Sequence, residues 1–285
     1  MTTLFEPAYA KVNLTLDILG IREDGYHELQ TVMQSISLQD DMEIIVGTGE
    51  PWKLTCSQPG IPCDGRNLAW KAAKTFCETL NLDPRGLEIH MTKRIPSEAG
   101  MGGGSSDAAA VLRALNRHFG EPLSLMELAN LGARVGSDVP FCVLGGTAMC
   151  EGRGEKMRKL PDMPECWLVV VKPEFSVSTP ALFRQIDSVE IYDHPDNRAM
   201  ENALESGDLQ QVCGCIYNVF DPVVSAEHLE LEHIKSVFRA YGAMGSQMTG
   251  SGSACFAVVR ELETAQAMAD ALKAHDYQVF IAKPL

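Results

Sequence analysis

Residues 95–110 read Ile-Pro-Ser-Glu-Ala-Gly-Met-Gly-Gly-Gly-Ser-Ser-Asp-Ala-Ala-Ala, with glycine at four of the five positions 100–104. Glycine gives up more backbone freedom on folding than any other residue. Gly100, Gly102, Gly103 and Gly104 together therefore point to a main chain that needs positive φ or close approach to a ligand. Ser105, Ser106 and Asp107 follow, residue types that cap helix N-termini, and a helix-forming run continues to Leu115. Backbone N–H groups converging at the positive end of a helix make an anion site, and phosphate is the occupant this pattern favours.

Familiar phosphate loops do not fit. A Walker A loop needs Gly-Lys-Ser/Thr, and no glycine here precedes a lysine. A dinucleotide fingerprint starting at Gly100 would need glycine at position 105, which is Ser105. The protein-kinase signatures His-Arg-Asp and Asp-Phe-Gly are also missing.

Other residues could act on such an anion. Apolar side chains fill the even positions 8–18 and polar or aromatic ones the odd positions, the pattern of a strand with one polar face. Period-two geometry sets Lys11 and Asn13 on the same side, where both can reach one ligand or lie in solvent. Asp138, in Gly136-Ser-Asp-Val-Pro140, sits in a tight connection that Pro140 enforces, as a reactive carboxylate or a backbone cap. Tyr26 and His27 follow the Asp24-Gly25 turn; they could stack on and hydrogen-bond a planar base, or merely cover a hydrophobic edge. Thr249-Gly250-Ser251-Gly252 reads equally as a hairpin loop and as a second anion cradle.

These residues need a scaffold. Strands are predicted over 8–18, 29–38, 41–46, 52–56, 86–95, 144–151, 167–171 and 278–282, and a strand pair around the 249–252 loop. Helices are predicted from Asn67 to 80, from 107 to 120, from the capping box at Ser124 to 136, and over 180–186, 197–206, 208–219, 226–241 and 261–274. Composition shifts near 160–175, which suggests two domains, 1–165 and 166–285.

The 285 residues are 45% hydrophobic and 22% charged, ordinary for a soluble globular protein. Net charge −14 disfavours nucleic acid and anionic membrane as partners. The nine cysteines form no framework, and Cys213-Gly-Cys215 lacks the second pair a zinc site needs. With no signal peptide or apolar span visible, a cytoplasmic protein is expected.

Four pieces, Pro-x-Tyr-Ala-Lys11-Val-Asn13-Leu, Pro96-x-x-Ala-Gly-Met-Gly-Gly-Gly-Ser-Ser106, Gly136-Ser-Asp138-Val-Pro140 and Thr249-Gly-Ser-Gly252, together resemble the GHMP small-molecule kinase superfamily. Within it, residues 20–31, Gly-Ile-Arg-Glu-Asp-Gly-Tyr-His-Glu-Leu-Gln-Thr, look like the branch whose acceptor is 4-diphosphocytidyl-2-C-methyl-D-erythritol, in the non-mevalonate route to isoprenoid precursors. Met101 stands where leucine is usual, a volume-conserving exchange.

The resemblance implies an α+β fold, with an N-terminal domain like ribosomal protein S5 domain 2, a C-terminal ferredoxin-like domain and the active site in the cleft between them. It implies ATP with Mg²⁺ and a small-molecule alcohol substrate, in a monomer or weak homodimer. Lys11 and Asp138 match the catalytic pair. ATP would be held by Pro96, Ser97, Glu98, Ala99, Gly100, Met101, Gly102, Gly103, Gly104, Ser105 and Ser106, with Asn67 and Lys93 near adenine and ribose and Ser105 on the metal. Asn13, Tyr26, His27, Phe183, Gly250 and Ser251 would hold the alcohol, with Phe175 the alternative to Phe183. A homoserine, mevalonate or sugar kinase, or a non-catalytic S5-like or ferredoxin-like module, are the other readings.

Overall fold

A computed structural model describes residues 1–285. The chain forms two compact units, one built from Met1–Ala10, Gln39–Ile95 and Gly102–Gly145, the other from Lys11–Leu38, Pro96–Met101 and Gly146–Leu285. Strands β1 (Thr2–Ile21) and β2 (His27–Val46) each give one half to either unit.

In the first unit the strand order is β3-β4-β2-β1, with β3 (Lys53–Cys56) parallel to β4 (Leu87–Thr92) and β4 antiparallel to β2. Helices α1 (Leu68–Leu80), α2 (Gly103–His118), α3 (Leu125–Gly132) and α4 (Val139–Leu144) complete it, with α1 packed on α2. Asn67 starts α1 as predicted, its side chain accepting the Ala69 N–H at 2.9 Å. Ala69, Ala72, Ala73, Phe76 and Cys77 then form one buried stripe. Burying a side chain such as Phe76 contributes about 1.5–3 kcal/mol. The Ser124 capping box also forms, with Glu127 closing it.

Three predictions in this unit are corrected. Strands predicted over 29–38 and 41–46 are one strand, with the Asp40 carboxylate between them hydrogen-bonded by the Arg94 and Ile95 N–H groups. Helix α2 starts at Gly103, so Ser105, Ser106 and Asp107 lie within it and cap nothing; Gly102, at φ 69°, is the cap. Pro140 lies in the first turn of a helix where only a tight connection was expected, since its fixed φ and missing N–H suit the start of α4. The next strand accordingly waits until Thr147.

In the second unit, β5 (Thr147–Gly152) pairs with β2 and with β6 (Lys156–Lys159). A second sheet has the order β11-β7-β10-β9, with β7 (Trp167–Lys172) inside it as its unbroken apolar run requires. Around these lie α5 (Thr179–Ile186), α6 (Asn197–Ser206), α7 (Leu209–Gly214), β8 (Tyr217–Asn218), α8 (Asp221–Glu227), α9 (Leu229–Ala240), β9 (Gly245–Met248), β10 (Cys255–Val259), α10 (Leu262–Lys273) and β11 (Gln278–Ala282). Phe220, Leu231, Phe238, Met248, Cys255, Ala257 and Met268 belong to its core.

Two predicted helices are shorter here. The one over 208–219 ends at Gly214, because Asn218 is drawn into β8 beside β1. The one over 226–241 breaks at His228, whose ring stacks on Phe175 with centroids 3.8 Å apart. No helix of the chain is long and apolar enough to cross a membrane.

Candidate active site

The polar face of β1 behaves as its alternation predicts. Lys11 Nζ donates to Asn13 Oδ1 at 2.7 Å, and both side chains are buried. Asn13 Nδ2 donates to Thr31 Oγ1 at 2.8 Å, while the Asn13 N–H reaches Thr249 Oγ1 at 3.0 Å. The Thr249 hydroxyl lies 3.3 Å from both Asn13 Oδ1 and the Gly100 carbonyl. One hydroxyl thus joins the strand carrying Lys11 to the glycine run, a role that nothing in the 249–252 loop alone distinguishes.

Gly100 and Gly250 are demanded by that junction. A Cβ on Gly100 would stand 2.1 Å from the Thr249 carbonyl oxygen, and one on Gly250 would stand 2.8 Å from the Gly100 oxygen. Ala254 N–H donates to Ala99 O at 3.3 Å and Lys11 N–H to Met101 O at 3.1 Å, which fixes residues 99–101 through their carbonyls. Asn218 Nδ2 supports the other side, donating to Met248 O and Gly250 O, each at 2.8 Å. Ser251 Oγ meets Thr179 Oγ1 at 2.7 Å.

Lys172 was not singled out by the sequence, since it ends an apolar strand. It is buried and donates to the carbonyls of Pro173 and Phe175 at 2.7 Å. Burial pushes its ammonium below the ordinary lysine value, with Glu98 opposing. Ser253 Oγ also donates to Phe175 O at 2.6 Å, so Phe175 is fixed by its own carbonyl and by His228.

Phe183 stands elsewhere, with His27. Their ring centroids are 4.6 Å apart, and His27 Nε2 lies 2.7 Å from Asp187 Oδ1. Tyr26 is 55% exposed, with the Arg153 guanidinium 5.0 Å from its ring centre. Of the two aromatics considered, Phe183 is therefore the one beside His27. Asp187 and Arg153 carried no signal, because each is defined by a contact more than 100 residues away in sequence.

The start of α2 is a second cluster of donors. Helix geometry leaves the first N–H groups without helical partners, and Gly102 has no side chain to cap them. Ser106 N–H already bonds Gly102 O at 2.8 Å, and Ser106 Oγ donates to Tyr9 O at 2.5 Å. The donors left by helix geometry are thus those of Gly103, Gly104 and Ser105. Asp138 precedes α4, yet its carboxylate makes no capping bond, so the simple turn-capping role is not the one it has.

Two residues expected at adenine and ribose are engaged within the unit. Asn67 caps α1 and donates Nδ2 to Pro62 O at 2.8 Å. Lys93 is enclosed by Asp40 and by Asp107 Oδ2, the latter at 2.6 Å, with only 4% of its side chain exposed. Burial alone would lower Lys93, but Asp107 and Asp40 outweigh it and hold the ammonium above its ordinary value. Burial likewise pushes the Asp107 carboxyl well above the carboxylate range, against the pull of Lys93 and helped by Asp40.

The chain thus holds a glycine-opened helix and, separately, a lysine-bearing strand tied to a Thr-Gly-Ser-Gly loop, and family models match two of its segments. The GHMP kinases N terminal domain matches residues 67–146 and the GHMP kinases C terminal domain matches 199–278. The chain belongs to the GHMP kinases. It is 43% identical over 278 residues to 4-diphosphocytidyl-2-C-methyl-D-erythritol kinase of Clostridium tetani, covering 98% of this chain and 99% of that one. A crystal structure of 4-(cytidine 5'-diphospho)-2C-methyl-D-erythritol kinase matches with TM-score 0.82 and 34% identity, covering 99% of each chain. A homoserine kinase from Cytophaga hutchinsonii, at TM-score 0.79 and 18% identity over 100% of this chain and 95% of that one, shares the fold.

Proposed function

We infer that this chain is an ATP-dependent kinase that phosphorylates the C2 hydroxyl of 4-diphosphocytidyl-2-C-methyl-D-erythritol, in the non-mevalonate route to isoprenoid precursors. The observation that carries this reading is the glycine opening of α2, which leaves N–H groups at a helix N-terminus with no side-chain cap, in a chain alike over its full length to kinases of that name.

Phosphoryl transfer asks for positioning, charge neutralisation and an activated hydroxyl. Asp138 accepts the proton of the C2 hydroxyl, and Lys11, kept in place by Asn13, stabilises the developing alkoxide. The amides of Gly103, Gly104 and Ser105 hold phosphate oxygens, and residues 96–101 shape the approach. Asn13 contacts the erythritol portion, with Gly250 and Ser251 beside it.

The base is read by Tyr26, His27 and Phe183. Asp187 holds the Nε2 side of His27, which leaves Nδ1 to meet the edge of the base. Arg153 covers one face of Tyr26, so a base stacks on the other.

Mg²⁺ characteristically fills its shell with water and phosphate oxygens and takes few protein ligands. Ser105, on the first turn of α2, would supply the protein oxygen. When bound there, Mg²⁺ would supply charge neutralisation for the transferring phosphoryl group.

The matched segments fall on either side of residue 165, which supports a boundary between them at the level of sequence families, although the compact units of the fold put residues 11–38 and 96–101 with the C-terminal part. Nine cysteines without a disulfide among them support the cytoplasm as the compartment.

The test is ATP consumption with three acceptors. Turnover with the cytidyl alcohol and none with homoserine or mevalonate is expected; the reverse assigns a different GHMP kinase, and no turnover with any of them leaves a binding module. Asp138→Asn is expected to lower kcat about 10²–10⁴-fold with both substrates saturating. Near-wild-type turnover in that variant would remove Asp138 as the base. Tyr26→Ala and His27→Ala are expected to erase the preference for CDP- over UDP-linked alcohol, and an unchanged preference moves the base pocket elsewhere.

A further inference from the structure

The residues that bracket the glycine run meet in one buried ionic cluster. Asp40, in the middle of β2, is fully buried; its Oδ1 accepts from the N–H groups of Arg94, at 2.5 Å, and Ile95, at 2.8 Å, the last two residues before the run. Its Oδ2 binds Lys93, whose ammonium reaches across to Asp107 Oδ2 on α2 at 2.6 Å, just after the run. Asp107 Oδ1 is buried with no hydrogen-bond partner. A Cβ on Gly103 would lie 3.2 Å from Ile95 Cγ2 and 3.5 Å from Lys93 Nζ, so the run rests directly on this cluster.

Stability does not account for such an arrangement. Two carboxylates share one ammonium out of water, one oxygen is unsatisfied, and apolar residues of similar volume often serve as well or better. What the cluster does supply is geometry: it ties the chain before the run to the helix after it.

We propose that Asp40, Lys93 and Asp107 are positioning residues for ATP, setting the separation between the end of β4 and the start of α2 so that the amides of residues 103–105 are fixed for phosphate. In this arrangement Lys93 acts through the loop and does not touch the nucleotide. The inference rests on the kinase reading above. Alcohol-dependent ATP turnover by the unmodified protein tests that reading separately.

The experiment compares Lys93→Met with Asp40→Asn, measuring kcat, both KM values and Tm. Both variants are expected to raise KM for ATP about tenfold while kcat and KM for the alcohol stay within about threefold, as loss of ground-state positioning predicts. Asp40 is too buried to meet a nucleotide, so a shift confined to Lys93→Met would mean direct contact by Lys93 and overturn the proposal. Unchanged KM for ATP with a lowered Tm in both variants would make the cluster merely structural and equally overturn it. Where a single variant does not fold, Asp40→Asn/Lys93→Met/Asp107→Leu removes all three ionisable groups together, and the same raised KM for ATP at recovered Tm is expected; a normal KM refutes the positioning role.

Discussion

Residues Pro96–Met101 and the five that follow them form one small-residue run, yet they are secured by opposite means. In the first part main chain meets main chain: Gly100 leaves no room for a Cβ against Thr249, and the carbonyls of Ala99 and Met101 accept from Ala254 and Lys11. In the second part the backbone obeys its own helix. Gly102 takes φ 69° as the cap of α2, and a Cβ on Gly104 would meet only Leu68 Cδ1, at an ordinary 3.5 Å. Glycine-richness therefore answers three different demands within five residues. Neighbouring backbone forbids a side chain at 100, dihedral angle disfavours one at 102, and at 104 the protein forbids nothing.

The comparison breaks most easily at Gly100. Gly100→Ala combines a left-handed φ of 72° with a Cβ 2.1 Å from the Thr249 oxygen. Strain and overpacking together are expected to cost about 2–5 kcal/mol of folding stability. Denaturant titration measures it, and a cost below that of the Gly102 variant would mean that the 249–252 loop yields freely.

Gly102→Ala should cost less, about 1–2 kcal/mol, because only the positive φ resists. Gly102→Asn should recover much of that, since asparagine visits the left-handed region more readily. Equal losses for alanine and asparagine would show that space, not dihedral angle, is the limit at 102, and the two parts of the run would then be alike.

What the sequence disclosed divides along the same line between local and distant causes. Period-two alternation placed Lys11 and Asn13 on one side of β1, and they touch; Asn67 and Ser124 announced helices that begin where their caps act. Each of those signals lies within a few residues of its effect. The gap predicted between 38 and 41 does not exist, because the partners of Asp40 lie 53 to 55 residues further on and only the folded sheet shows its carboxylate satisfied inside β2. Pro140 was misread for a related reason: proline ends one helix and opens another, and the choice depends on whether α4 has something to pack on. At the candidate site, Tyr26, His27 and the glycine run were legible as motifs. Thr249 was legible only as part of the Thr-Gly-Ser-Gly piece, and Asp187, Arg153 and Lys172 not at all, because their roles consist of contacts with other parts of the chain.

The smallest expected change in stability is also the most discriminating. Gly104 is in the first turn of α2, at helical φ, with ordinary contact distance available for a Cβ. Glycine inside a helix costs about 0.5–1 kcal/mol relative to alanine, so Gly104→Ala should stabilise the protein by that amount. Since neither fold nor dihedral angle asks for glycine there, the remaining physical reason is the ligand: a phosphate seated on the helix start leaves no space for a methyl group. Gly104→Ala should therefore raise Tm and raise KM for ATP together, whereas Gly100→Ala should lower stability first. A rise in Tm with KM for ATP unchanged would show that the nucleotide does not approach α2 at residue 104, and would shift the phosphate contacts toward residues 96–101.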